Sequence, residues 1–507
     1  MDTARLEIAG EKLFVWALIF LGAIVAILTG FLIGTDAVPI FIVILAIALS
    51  ITWLAGARER WWLLVPAAGT LGGYFYFGYK IYPHEIALLA CFVPLAMAFA
   101  VRAPIAQLRT TAFPITMYLL GFYLIVHWFG SNIYNWVEGT AGYGNVSRAY
   151  FNAVWVILFL FAFWRWGSTK YIAAALLLSY LAAFARVTMG VLLYYFTDIF
   201  AYVPVINYVL PGSTYSRSDD LRWSGISLAT LAICYFLMKK GLLRKTFHAI
   251  VFLGSCVALV LGSGRTVVVL AGAMPLFVVL LYRKLVPLIV TSIALVGLVF
   301  IVNSDPSVLN PLPFRVQRSL SVLLLKKGEA THYGKTEASD RWHEDLRKLG
   351  YSKWTQSWQT VLFGTGIRPF DFSLQEVRPG ITINMENLMD SAAKVGSYES
   401  GWWTVIAVTG VVGLMLYASV LFYLLRKLLP ILLRERVSDH SHAFAFMAVF
   451  GIVIWIGLGW TNGGFPTTEI MFGFLALAAL EDRRRKTQPE HLSITRQPVE
   501  HPSLAAT

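Results

Sequence analysis

Long apolar runs, separated by short loops rich in lysine and arginine, recur along almost the whole chain and constrain its fold more than any other feature. The runs are Leu13–Ile33, Val38–Ala55, Trp61–Tyr79, Ile86–Val101, Phe113–Gly130, Ala149–Trp166, Tyr171–Phe196, Trp223–Met238, Phe247–Gly262, Thr266–Tyr282, Leu285–Val302, Trp402–Leu425, Ala443–Trp460 and Phe465–Leu480. A helix of about 20 apolar residues crosses the hydrocarbon core of a bilayer, and helices satisfy their own backbone groups there. The pattern therefore predicts an all-α polytopic membrane protein of about 12–14 transmembrane helices, with one or two of the shorter runs re-entrant or merged. A hydrophobic content of 58% over 507 residues agrees with one membrane domain.

One stretch breaks the pattern. Asn303–Gly401 carries Asp305, Arg315, Arg318, Asp340, Arg341, His343, Glu344 and Glu399, whereas its flanks Pro287–Val302 and Trp402–Leu425 carry no charge. A charge at mid-bilayer costs about 2.5–3.5 kcal/mol, so this stretch lies outside the hydrocarbon. The chain divides into N-terminal spans (residues 1–302), a large, mainly helical loop domain (303–401), C-terminal spans (402–486) and a proline-containing disordered tail (487–507). Within the loop, Arg315–Lys327 and Ser339–Leu362 have helical spacing. In the second, Trp342, Leu346, Leu349, Trp358, Val361 and Leu362 share a stripe, Ser339 or Asp340 caps the start, and Gly364-Thr365-Gly366 stops it. Such a stripe suits the membrane-water boundary and equally suits packing on the ends of the spans.

Charge sets the orientation. The net charge is +13, but the excess sits in alternate loops: Arg58/Arg60, Arg102/Arg109, Arg165/Lys170, Lys239/Lys240/Arg244/Lys245, Arg283/Lys284, Arg426/Lys427/Arg434/Arg436 and Arg483–Lys486. The intervening short loops hold only Lys80, Arg148, Arg217, Arg222 and Arg265. By the positive-inside rule both termini are cytoplasmic and the large loop faces the periplasm or cell exterior; nucleic-acid binding is not implied. Met1–Lys12 reads as an uncleaved leader to the first span. Cys91, Cys234 and Cys256 all fall in apolar runs and read as buried free thiols.

Few arginines face outward, so those that do are candidates for chemistry. Arg265 sits in Gly262-Ser263-Gly264-Arg265-Thr266, a tight hairpin where a new helix begins; an arginine beside free helix amides suits phosphate. Arg222, preceded by Arg217, Asp219 and Asp220, opens the Trp223 span after a polar loop, and Arg186 lies within an apolar run. Each also suits an interfacial position, snorkelling to headgroups or paired with Asp219, Asp220 or Glu399. Glu399, at the mouth of a span, suits a general base on a sugar hydroxyl, or equally a helix-end charge. His343 on the amphipathic helix is a weaker candidate. His440 and His442 are too isolated for a metal site, and Asp219-Asp220 has little specificity as one.

Four blocks together resemble the superfamily of O-antigen ligases and Wzy-type O-antigen polymerases. They are Arg222-Trp-Ser-Gly-Ile-Ser-Leu-Ala229, Leu261-Gly-Ser-Gly-Arg265-Thr266, Arg341-Trp342 through Trp358 to Gly364-Thr-Gly366, and Glu399-Ser400 followed by Thr409-Gly410-Val-Val-Gly413-Leu414. Glu399 stands where ligases of that superfamily have a histidine. The resemblance implies a periplasmic-face, metal-independent glycosyltransferase without cofactor. Its donor would be an undecaprenyl-pyrophosphate-linked glycan and its acceptor a glycan or lipid, with a chain-length co-polymerase as possible partner. By that resemblance Glu399, Arg265 and His343 would be catalytic, and Arg222, Arg217, Arg186 and Arg341 would hold pyrophosphate or glycan. Polymerisation is favoured over ligation to lipid A core. A transporter or flippase of lipid-linked sugars is the alternative from another class, although no internal repeat is evident, and a structural or sensor role is a third.

Overall fold

The computed structural model describes residues 60–71, 75–76, 80–81, 83–100, 113–137, 148–195, 214–262, 265–283, 285–312, 314–325, 333–366, 398, 400–459 and 464–487. Predictions for the first two spans, for Glu399, for the residues after Gly366 and for the tail lie outside this set. The described chain is helical apart from a two-residue antiparallel pair, β1 (Phe75–Tyr76) with β2 (Lys80–Ile81). Its helices are α1 (Leu64–Gly69), α2 (Pro83–Ala100), α3 (Ile115–Val137), α4 (Arg148–Trp166), α5 (Ile172–Tyr195), α6 (Thr214–Met238), α7 (Leu242–Leu261), α8 (Arg265–Leu281) and α9 (Leu285–Ser304). After these come α10 (Phe314–Leu320), α11 (Tyr333–Trp354), α12 (Trp358–Phe363), α13 (Gly401–Arg434), α14 (His440–Leu458) and α15 (Thr467–Thr487).

Among the described residues, five helical segments are long and apolar enough to cross a membrane: Thr169–Leu192, Leu221–Met238, Leu242–Leu261, Gly401–Arg434 and His440–Leu458. Shorter apolar stretches lie in α2, α3, α4 and α8. The architecture is that of a polytopic membrane protein. Phe122 (69% exposed), Phe300 (72%) and Phe422 (67%) stand on its outer surface, where lipid would cover them. The centre is formed by α14 and α15: Ala443–Phe450 and Ile470–Leu480 are buried throughout. Small residues permit close approach there. A Cβ on Gly473 would lie 2.8 Å from Leu424 of α13, and one on Gly69 would lie 2.7 Å from Met471. Cys91 and Cys234 are buried, whereas Cys256 is partly exposed on α7.

Four expectations need correction. The run Trp61–Tyr79 is not a continuous helix; it forms the six-residue α1, which ends at Gly69, a poor helix former, and then β1. The segment before Trp223 is not a loop: α6 begins at Thr214, with no glycine or proline until Gly225, so Arg217 and Arg222 are helical. Arg315–Lys327 shortens to α10 followed by a 3-10 turn, Ser321–Leu323. The predicted Ser339–Leu362 helix starts earlier and splits in two. Ser339 and Asp340 are interior to α11, and Ser357 starts α12 with a reciprocal capping box to Thr360 that favours a new helix start over continuation. The stripe divides accordingly. Leu346 is buried and Leu349 and Trp354 pack on the core, while Trp358 is 66% exposed.

The run Trp402–Leu425 becomes α13, 34 residues long, but it is broken at Gly410, whose φ of 67° and ψ of −173° are not helical. The break leaves carbonyls that the next turn cannot reach, and the stretch Phe363–Gly366 supplies the missing donors. The Thr365 amide donates to the Ala407 carbonyl at 2.8 Å and the Gly366 amide to Val408 at 3.1 Å. Tyr123 of α3 donates its hydroxyl to the Thr409 carbonyl at 2.6 Å, and His127 Nε2 lies 2.7 Å from the Phe363 carbonyl, which it can meet only as a donor. Thr365 Oγ1 adds a bond to Ala407, and the buried Tyr398 hydroxyl bonds Thr365; burial pushes that phenol up to about 12.

Glycine is required on both sides of this seam. Gly364 (φ 77°) would place a Cβ on the Val408 carbonyl, and Gly410 one on the Leu362 carbonyl. Gly364→Ala and Gly410→Ala are each expected to cost more than about 2 kcal/mol and to lower the thermal midpoint of the detergent-solubilised protein. Tyr123→Phe, which leaves the backbone intact, is expected to cost about 1 kcal/mol in the same measurement.

Candidate functional site

Four helices enclose a cavity of about 160 Å³ toward one end of the bundle. Trp223, Ser227 and Thr230 come from α6, Thr266 and Leu270 from the start of α8, and Phe450, Gly451 and Trp455 from the second half of α14; Thr468, Glu469 and Phe472 begin α15. The start of α13 is clamped beside it. Ser400 caps α13 and donates its hydroxyl to the Gly459 carbonyl at 2.9 Å, the Trp402 amide donates to the same carbonyl at 3.2 Å, and Trp455 Nε1 donates to Gly464 at 2.9 Å. A Cβ on Gly401 would lie 2.6 Å from Trp455 Nε1, so these two helix ends meet with no room for a side chain.

The basic loops gather at the opposite end. Arg60 lies over the Tyr171 ring at 4.5 Å, Thr169 bonds Asp482, Arg483 pairs with Asp439, and the Val437 amide donates to the Tyr282 hydroxyl at 2.9 Å. His440 at this end is held below its ordinary value by burial and by Lys239. Among the described residues, loops of one alternate set thus meet at one end of the bundle.

The candidate residues fall in three groups. Arg222 and Arg265 lie on helices that line the cavity, and Arg186 lies on α5, which packs on α6 but does not line it. The Arg222 guanidinium sits 5.1 Å from the ring of Trp223, a cavity wall, and Arg265 is the first residue of α8, directly before the lining residue Thr266. Arg186 is buried in α5; Gly190, one turn further on, packs on Leu221, the residue before Arg222. Arg217 occupies the first turn of α6. In a second group, Arg341 and His343 lie on α11, and neither lines the cavity. Glu399 lies outside the described residues; its neighbour Ser400 is the α13 cap beside the cavity.

The resemblance blocks thereby come together in pairs. The first and second bring Trp223 and Thr266 to one cavity, and the third and fourth meet where Gly364-Thr365-Gly366 bonds Ala407 and Val408.

The sequence reading missed Glu469. It lies at the start of an apolar segment, which marks an intramembrane acid as a functional candidate, and that signal was available in Pro466-Thr-Thr-Glu469-Ile-Met-Phe. Among the described residues no cation pairs with its carboxylate, and no group of three or more His, Cys, Asp and Glu is placed to hold a metal. Gly451 makes room for it: a Cβ there would lie 2.7 Å from Glu469 Cγ and 3.2 Å from Oε1.

Neither a protein-family model nor a curated protein matches the chain. The fold defines a helical membrane protein with a partly polar cavity at one end.

If the cavity is open to solutes, its wall should be chemically accessible. In a cysteine-free background, Ser227→Cys is expected to react with a small thiol reagent, while a cysteine at the native position 234, buried two turns deeper on α6, remains unmodified in native protein.

Proposed function

We propose that the protein is a glycosyltransferase that takes its donor from an undecaprenyl-pyrophosphate-linked glycan at the outer face of a bacterial inner membrane. The observation that carries this reading is the convergence of Arg222-Trp223 and of the Arg265-Thr266 helix start on one cavity. Two arginine positions and the free amides of a helix N-terminus at one mouth suit a pyrophosphate. The basic loops at the other end support cytoplasmic termini and a periplasmic segment 303–401.

In this reading the acceptor hydroxyl oxygen forms a bond to the anomeric carbon as the bond from that carbon to the pyrophosphate oxygen breaks. The electron pair leaves on the pyrophosphate, and Arg222 and Arg265 stabilise its growing charge, with Arg217 and Arg186 completing the basic region. Glu399, the carboxylate next to the α13 cap, takes the acceptor proton. Arg341 and His343 belong to the segment that covers the carriers. Polymerisation of a repeat unit is favoured over ligation to lipid A core, because a glutamate stands where the resembled ligases have histidine. Loss of Arg265 removes charge stabilisation made in the transition state.

Arg265→Ala is expected to lower turnover by about 10²–10³ and to accumulate lipid-linked single repeats at normal protein levels; unaltered polymer would refute the assignment. Glu399→Gln is expected to stop transfer while leaving the donor bound. For sidedness, a cysteine at exposed Lys348 should be labelled by an impermeant reagent in intact cells, and one at exposed Ser438 should not.

A further inference from the structure

We propose that the cavity is a subsite for a single pyranose ring, held by hydrogen bonds from its hydroxyl groups to Glu469. This deepens the transferase reading and rests on it for the identity of the sugar-bearing substrate. About 160 Å³ is close to the volume of a cavity that accepts one six-membered ring. The walls have the two surfaces that a sugar presents. Trp223, Phe450, Trp455 and Phe472 offer flat apolar area to the C–H face of a ring, and Ser227, Thr468 and Glu469 offer oxygen atoms to its hydroxyls.

The carboxylate is the decisive group. A carboxylate in apolar surroundings is stable only when its oxygens receive donors. Among the described residues, Glu469 has no cation, and its hydrogen bonding is confined to its own backbone amide. Two adjacent ring hydroxyls fit that need, each donating to one carboxylate oxygen. Gly451 keeps the space in front of the carboxylate open, since even a methyl group there would touch Glu469. A cationic ligand is disfavoured by the Arg222 guanidinium beside Trp223 and by the positive end of α8 at the mouth. The same positive mouth suits a ring that carries a phosphate leaving group outward.

The test uses the full chain in lipid nanodiscs and saturation-transfer NMR with the methyl glycosides of a hexose, a 6-deoxyhexose and an N-acetylhexosamine. At least one should bind at millimolar concentration, and Glu469→Gln, which keeps the shape but replaces one acceptor oxygen with a donor NH2 and removes the charge, should weaken it at least tenfold at an unchanged thermal midpoint. Gly451→Ala, which pushes on the carboxylate, should weaken it in the same direction. The proposal is overturned if no glycoside binds, if Glu469→Gln binds as the wild type does, or if tetramethylammonium displaces the glycoside and itself depends on Glu469. Turnover separates the two readings. Glycoside binding that depends on Glu469 without any transfer from lipid-linked glycan sinks the transferase and leaves the subsite. Transfer with an unchanged KM in Glu469→Gln sinks the subsite alone.

Discussion

The break at Gly410 is the constraint on which the packing of α11, α12 and α13 depends. A helix interrupted in apolar surroundings leaves carbonyls that water cannot reach, and irregular backbone at that depth is tolerated only where protein supplies the donors. Here the donors are the amides of Thr365 and Gly366 and the hydroxyl of Tyr123. The polar segment is therefore stitched into α13 by main-chain bonds, which no side-chain substitution outside the seam removes. Because Gly364 and Gly410 both take φ values that favour glycine, the two backbones can close to hydrogen-bonding distance.

That seam also fixes what the cavity is made of. The first half of α13, from Gly401 to Thr409, is held on one side by the Gly364–Gly366 backbone and on the other by Gly459, Trp455 and Gly464 of the neighbouring helix end. On its outer flank α11 packs through Tyr351 and Trp354, whose rings lie 5.9 and 6.2 Å from that of Trp403. Gly350 approaches Tyr398 closely enough that a Cβ would lie 3.1 Å from its ring. With α13 clamped in this way, the cavity wall formed by α14 and α15 has a fixed neighbour. Ser400, bonded to the cavity-lining Gly459, belongs to the same corner of the bundle as Trp223 and Thr266.

Much of the membrane framework was legible from the apolar runs. The helices α4, α5, α7, α8 and α14 begin and end within five residues of the runs that predict them, because a run of that length and composition has little alternative in a bilayer. Failures came where local chemistry outweighed hydrophobicity. Trp61–Tyr79 is apolar enough for a span, but Gly69, a poor helix former, ends its helix after six residues. Ser357 starts a second helix inside a stripe that periodicity had joined, since a capping box satisfies amides that a continuous helix would otherwise share. Thr214–Leu221 looked like a loop by polarity alone, although nothing in it opposes a helix.

By itself the sequence determined that the chain is a helical membrane protein, that residues 303–401 form a charged stretch between apolar runs, and that arginines are scarce on one set of loops. These follow from transfer free energies and charge, which act residue by residue. Only the tertiary structure decided that Gly364-Thr365-Gly366 completes a broken helix more than forty residues further on, and that Glu469 opens to the same cavity as Trp223 and Thr266. Both are contacts between segments distant in the chain, and they depend on which helix ends pack together and on where glycine lets them touch. Neither is encoded in the periodicity of any one segment.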